Sequence, residues 1–335
     1  MSESTQESTA EESKPPAGPN ITPDAPPSPT AQPTEPPGAK KQSPIMELIQ
    51  LQNASPSDED LQKLVAAQVE EDLAGNSLLS THNLIFLFDT VSIARVDTDK
   101  IYKTLVHVDK SKPILLIVDS PGGNISAAYF IAKLCREYTA ARFEVAVPRR
   151  AKSAATLICC GADLVHLGSL SELGPIDPQF GDRPALALKH SIEHIAELCK
   201  RYPAASEMFA SYLSKSLQIE ALGYYERVAE SAVQYAERLL RSRHDVVQDE
   251  ETIAIIANRL VYAYKDHGFA IDANEARQIF GPDVIKYNSP EYVVADKVYR
   301  SLGLIDWIMS KLFDRRFSFT GTVDKACSLQ KRTRK

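Results

Sequence analysis

The 335-residue chain has one tryptophan, five cysteines, and no apolar run approaching the 18–20 residues that a membrane span requires. Each shortage removes a class of function. An odd number of cysteines, two of them adjacent at Cys159 and Cys160, with no CxxC or Cys/His finger spacing, gives neither a disulfide framework nor a structural zinc site. The thiols read instead as small apolar groups in a reducing compartment. Positive charge is also scarce, with 38 Lys and Arg against 44 Asp and Glu for a net charge of −6. Nucleic acid is therefore not expected as a partner, and the basic tail "QKRTRK" reads as a solvated end. No phosphate-binding glycine loop is present, so no ATPase is built into the chain. The start, "MSESTQESTAEESKPP", has no apolar core of the kind a signal peptide carries, and the expected location is the cytoplasm.

What is present divides into parts of different composition. Residues 1–44 are rich in Pro, Ser, Thr and Glu and almost lack large apolar side chains, so a disordered arm is predicted there. A helical segment follows over 45–76, with Ser57 or Asp58 as helix cap and Gly75 as stop. From 77 to 200 the pattern alternates. "NLIFLFD", "RFEVAVP" and "DLVHLG" read as strands, "PILLIVDS" as a strand buried on both faces, and the segments between them as helices, which predicts parallel strands with helical crossovers. Residues 201–335 read as a helical extension for oligomerisation or capping. In it, Asp272 of "DANE" has capping-box spacing.

Two short motifs bear on chemistry. In "VPRRAKSAATLICCGAD", Ser153 lies at a strand-to-helix corner among alanines. Small neighbours let a backbone bend sharply and leave a hydroxyl clear, as in the nucleophile elbow, although alanines here take the outer positions usually held by glycine. A helix starting at the serine also places free N–H groups beside the place where an oxyanion would form. In "IVDSPGGN", Pro121-Gly122-Gly123 closes a buried strand and offers unshielded backbone N–H groups at the carboxyl edge of the sheet. The N–H groups of Gly122 and Ala154 together make a candidate two-donor oxyanion hole.

The stretches "SPGGNISAAYFIA", "AKSAATLICCGAD" and "SELGPIDPQ", in this order and spacing, resemble the serine dehydrogenase proteinase family, Clp/crotonase-fold serine peptidases similar to signal-peptide peptidase A. The resemblance implies an α/β Clp/crotonase-like spiral with an α-helical C-terminal extension. It also implies Ser153 as nucleophile, Gly122 and Ala154 as oxyanion donors, and an extended peptide bound along Gly123 and Asn124. A homo-oligomer is expected, with no cofactor and no metal. Clp subunits carry a histidine about 25 residues after the serine, but this chain has "LGPIDPQ" there. The peptidase A relatives use a lysine farther on, and its positional match is Lys189, at the edge of an apolar stripe of Leu188, Ile192, Ile195 and Cys199. Partial desolvation would lower the pKa of such a lysine and suit it to act as base. Lys152 adjoins the serine but points elsewhere on a helix start.

Three other readings compete. "HSIEH" at 190–194 matches an inverted zincin motif, but its histidines fall on the charged face of the helix with Glu193, Glu197 and Arg201. A hydrolase triad of Ser153, Asp245 and His267 is available in sequence order, yet it requires further β/α units where the chain turns helical. The same fold could also serve as a non-catalytic scaffold that binds peptide. The expectation is an ATP-independent serine endopeptidase acting on unfolded polypeptides through a Ser153/Lys189 dyad.

Overall fold

The strand read at "NLIFLF" lies between two helical layers. Leu84, Phe86 and Phe88 enter one apolar core, while Ile85 and Leu87 enter another, as period-two alternation requires of a strand covered on both faces. The structure is a computed structural model that describes residues 42–180, 183–184, 187–216, 219–244 and 249–331. Residues 1–41 of the expected arm lie outside these.

Helices α1 (Pro44–Gln50), α2 (Asp58–Leu73) and α3 (Leu78–Thr81) lead into β1 (Asn83–Phe88). Then follow α4 (Arg95–Leu105), β2 (Ile114–Asp119), α5 (Ile125–Glu137), β3 (Phe143–Ala146), β4 (Arg150–Ala151), α6 (Ala154–Cys160), β5 (Leu164–Leu167) and β6 (Glu172–Leu173). A short antiparallel pair, β7 (Gln179–Phe180) and β8 (Arg183–Pro184), precedes the helices α7 (Ala187–Arg201), α8 (Ser206–Ser216), α9 (Ile219–Arg241), α10 (Glu250–Tyr262) and α11 (Ala273–Phe280). The chain closes with β9 (Ile285–Tyr287), α12 (Pro290–Leu312), β10 (Arg315–Gly321) and β11 (Cys327–Lys331).

The main sheet has the order β11-β10-β1-β2-β3-β5-β9. The strands from β1 to β9 run parallel, and the β10–β11 hairpin joins β1 antiparallel. One face packs against α5, α6, α9 and α10 through residues such as Ile131, Leu157, Leu239 and Leu260. The other packs against α2 and α12 through Val65, Val69, Val298 and Ile305. Burying each such side chain contributes about 1.5–3 kcal/mol.

Local signals behave as physical chemistry dictates. Ser57 caps α2 in a reciprocal box with Asp60, and Asp272 caps α11 by accepting from the Glu275 N–H at 2.8 Å. Past residue 201 the chain is mostly helical, as expected, but three strands are interleaved. At three residues, β9 is too short to show a period. In β10 only Phe317 and Phe319 alternate inward, between Arg316, Ser318 and the glycine at 321. Among the described residues no helix is long and apolar enough to cross a membrane.

Candidate active site

The carboxyl end of β2 is held to β4. Asp119 accepts from the Arg150 N–H at 3.1 Å, and Ser120 exchanges backbone bonds with Arg150 (3.0 Å) and Lys152 (3.1 Å). The next residues need to be glycine. Gly122 has φ +106°, and a Cβ there would lie 2.6 Å from the Lys152 carbonyl and 2.8 Å from Ser153 Cβ. The Pro-Gly-Gly turn therefore rests directly on the serine. Ile93 bonds to Gly122 O (2.7 Å) and accepts from the Asn124 N–H (2.9 Å). Gly123, between them, turns its own N–H the opposite way, and this group makes no hydrogen bond among the described residues. The Gly122 N–H donates to Ser120 Oγ at 3.1 Å. The Asn124 side chain caps α5 by accepting from Ala127 N–H at 2.8 Å.

Ser153 has φ 51° and ψ −117°. A non-glycine residue in this conformation stores about 1–3 kcal/mol of strain, which the surrounding structure must hold. Such a strained strand-to-helix turn projects the hydroxyl clear of the backbone. Ala151, Ala154 and Ala155 are buried around it, which explains why the neighbours are methyl groups. Neither Ser153 Oγ nor the Ala154 N–H has a hydrogen-bond partner among the described residues. The far end of α6 is anchored by Arg243, which donates to the Cys160 (3.0 Å) and Cys159 (3.2 Å) carbonyls. Both cysteines are inert filling, with burial pushing the Cys160 thiol up to about 12.

A second, small sheet gathers the remaining groups. Ser120 bridges Ala151 in parallel, Arg150–Ala151 pair with Glu172–Leu173 in parallel, and Leu173 pairs with Ile271 antiparallel. Parallel partners bring the residues after Ser120, Ala151 and Leu173 to one end. The antiparallel partner brings the residues before Ile271 to that same end. The segments that carry Gly122, Ser153, Asp177 and His267 thus leave this sheet at the same end, where Ala151 and Ile271 lie two strand spacings, roughly 10 Å, apart. Lys152 spans the gap: its Nζ contacts the Leu173 carbonyl (3.3 Å), the Phe269 carbonyl (3.1 Å) and Glu172 Oε2 (3.0 Å). These contacts turn it away from a role as base, as expected.

At this end His267 Nδ1 lies 2.5 Å from Asp177 Oδ1, and Gln179 donates to the other carboxylate oxygen at 2.9 Å. With Nδ1–H donated to a carboxylate, Nε2 is left as a free acceptor. The hydrogen bond to Asp177 raises the His267 pKa above its ordinary value, against the opposing effect of partial burial. Asp177 is buried and His267 is half-buried, so the pair is held firmly and its ring reaches solvent.

The structure thus brings Ser153, Gly122, Gly123 and Ala154 together. Lys189 falls in the first turn of α7, and its side chain is outside the described residues, as are Asp245 and the His190 side chain. His194 is exposed on the solvated face expected of it. Asp177 was missed. Its signal was the "LGPIDPQ" segment, which holds an aspartate where a histidine was sought.

Residues 84–198 match the family model of the ClpP-like SDH-type serine proteinases. Two uncharacterized proteins of Methanocaldococcus jannaschii are similar over part of the chain. One is 38% identical over 97 residues, covering 29% of this chain and 34% of that protein. The other is 32% identical over 104 residues, covering 31% and 34%. The chain thus spans about a third of the length of the curated relatives it matches. Two solved structures overlap at 14% identity. The 1510-N membrane-bound stomatin-specific protease, in a serine-to-alanine form, has a TM-score of 0.39 over 62% of this chain and 80% of its own. ClpP1 from Listeria monocytogenes has a TM-score of 0.37 over 66% and 99%. The resemblance carried by the three sequence motifs is borne out: through residues 84–198, the segment holding the Pro-Gly-Gly turn, Ser153 and Asp177, this chain matches the ClpP-like SDH-type serine proteinase family.

Proposed function

We propose that the protein is a serine endopeptidase that works without ATP on unfolded polypeptides, with Ser153 as nucleophile. The observation that carries this is the strained Ser153 seated against Gly122, at the end of the small sheet where His267 and Asp177 pair. Ser153 Oγ attacks the scissile carbonyl while its proton passes to a base, and the developing oxyanion takes the Ala154 N–H. The second donor comes from the turn. The Gly122 N–H becomes free when the Ser120 hydroxyl rotates away, and the Gly123 N–H is already free. The protonated base then donates to the leaving amine, and water reverses the sequence to release the acyl group.

His267 is the base favoured by the described geometry, with Asp177 fixing its tautomer and stabilising the imidazolium. This orders the triad Ser153, Asp177, His267, with a different aspartate from the Asp245 considered from sequence. Lys189, the base implied by resemblance, is the competing assignment, and a lysine base would not need the Asp177 pair. Substrate adds as an extended strand at Gly123, whose polar groups face away from Ile93, which requires an unfolded segment. The working form in this reading is a cytoplasmic homo-oligomer.

The test is cleavage of fluorescent unfolded casein without ATP, by wild type and by Ser153→Ala, with and without chelator. Cleavage that persists in chelator and disappears in Ser153→Ala supports the proposal. Binding of casein without cleavage in every oligomeric fraction of the wild type would make the protein a scaffold instead.

A further inference from the structure

Beneath α12 the sheet carries a polar cluster inside an otherwise apolar layer. Phe86, Phe88 and Ala146 belong to the core on this side, and Val165 and Leu167 to the opposite core. Alternation therefore places Glu144 and His166 under α12, where His82, the residue before β1, meets them. Glu144 is 1% exposed. Its Oε2 lies 3.0 Å from His166 Nε2 and 3.7 Å from His82 Nε2. Glu291, in the first turn of α12, brings Oε2 within 3.3 Å of His166 Nδ1. Ligand atoms of His82, Glu144 and Glu291 all lie within 4.8 Å of one another.

Distances set what His82 presents. The Thr81 hydroxyl lies 3.0 Å from the Ser77 carbonyl and 2.8 Å from His82 Nδ1, which ties up the Nδ1 side of the ring and turns Nε2 toward the Glu144 carboxylate. His82 Nε2 and Glu144 Oε2 are 3.7 Å apart, too far for a direct hydrogen bond and close enough for both to reach one cation, with the Glu291 carboxylate beside them. In addition, Glu144 Oε1 is buried with no hydrogen bond among the described residues, although Arg142 Nε is 3.1 Å away.

We infer that His82 Nε2, Glu144 Oε2 and Glu291 Oε2 bind a divalent transition metal of the zinc class. His166 stands behind them, bonded to Glu144 and to Ser289 Oγ at 2.7 Å. An imidazole with two carboxylates suits zinc and its neighbours, whereas calcium and magnesium take all-oxygen shells. Three protein ligands leave a fourth position open. It faces a cleft of about 690 Å³ that Arg142, Arg277 and Lys286 also line, which suits an anion there. The metal would tie β1, β3 and α12 together, apart from the Ser153 end of the fold.

The test is calorimetric titration of the full chain, stripped by chelator, with zinc chloride and separately with magnesium chloride. Wild type is compared with His82→Ala and Glu291→Gln, neither of which touches the proposed catalytic groups. Wild type should bind one zinc per chain, at least tenfold tighter than either variant. Its Tm should rise by about 5 °C at a hundredfold excess over Kd, a rise the variants lack. Metal-free melting curves show which variants fold, and one folded variant suffices. No zinc bound by wild type, equal binding by a folded variant (metal held at thiols or at His190 and His194), or equal binding of magnesium would overturn the inference.

Discussion

Two histidine–carboxylate pairs in this molecule look alike on paper and are built for different work. His166 joins Glu144 through Nε2 and Ser289 through Nδ1, giving a complete serine–histidine–carboxylate chain at 2.7 and 3.0 Å. His267 joins Asp177 through Nδ1 and leaves Nε2 free. By contact distances alone, the first would be taken for a catalytic triad. Yet Ser289 has ordinary extended geometry (φ −69°, ψ 165°) and its Oγ caps α12 by accepting from the Tyr292 N–H at 3.3 Å. Its histidine is 2% exposed, with both nitrogens engaged. Ser153 sits strained, and among the described residues neither its hydroxyl nor the Ala154 N–H beside it has a partner. In the proposed reading, what sets Ser153 apart from Ser289 is the strain and the uncommitted donors around it, more than the length of a hydrogen-bond chain.

Substitutions sharpen this contrast. Ser153→Ala should lower kcat for peptide cleavage by about 10⁴-fold or more, whereas Ser289→Ala should leave it within about twofold and cost about 1 kcal/mol of stability as a lost helix cap. Both are read from steady-state rates and denaturant midpoints. Equal losses of activity would erase the distinction.

At the His267 pair, Asp177→Asn should lower kcat by about 10⁴-fold through the wrong tautomer. The base must be neutral to act, so kcat/KM should rise with pH through a midpoint above the ordinary imidazole value of about 6.5, in the direction of the His267 shift. For folding the sign is opposite. A raised histidine pKa stabilises fully below the unfolded value, and that contribution is lost as pH climbs through the folded one. A midpoint at or below about 6.5 would remove His267 from the role.

A smaller effect is expected at the turn. Gly122→Ala puts a Cβ 2.6 Å from the Lys152 carbonyl at φ +106°. It should cost about 1–3 kcal/mol by shifted melting and about 100-fold in activity by displacing Ser153. An unaffected enzyme would show that the turn does not seat the serine.

Much of this was legible in the sequence because the signals are local. The strands β1, β2, β3 and β5 announce themselves as short, largely apolar runs, and Ser57 and Asp272 as caps. Ser153 and Pro121-Gly122-Gly123 stand out because a strained corner needs small neighbours and a tight turn needs glycine. What escaped is long-range. Asp177 and His267 lie ninety residues apart in sequence and meet only because Leu173 pairs with Ile271 across the small sheet. Likewise His82, Glu144, His166 and Glu291 come from four separate segments and share no spacing that a motif could capture. The strand β9 is recognised only by its pairing with β5 at Val165, His166 and Leu167.

The most direct test of the central claim, that His267 activates Ser153, is labelling with a fluorophosphonate followed by peptide mass mapping. It would be run on wild type, His267→Ala, Lys189→Ala and Ser289→Ala at pH 8. The account predicts modification at Ser153 in wild type, Lys189→Ala and Ser289→Ala, and a loss of at least a hundredfold in labelling rate in His267→Ala. Labelling of Ser153 that is undiminished in His267→Ala and lost in Lys189→Ala would contradict it.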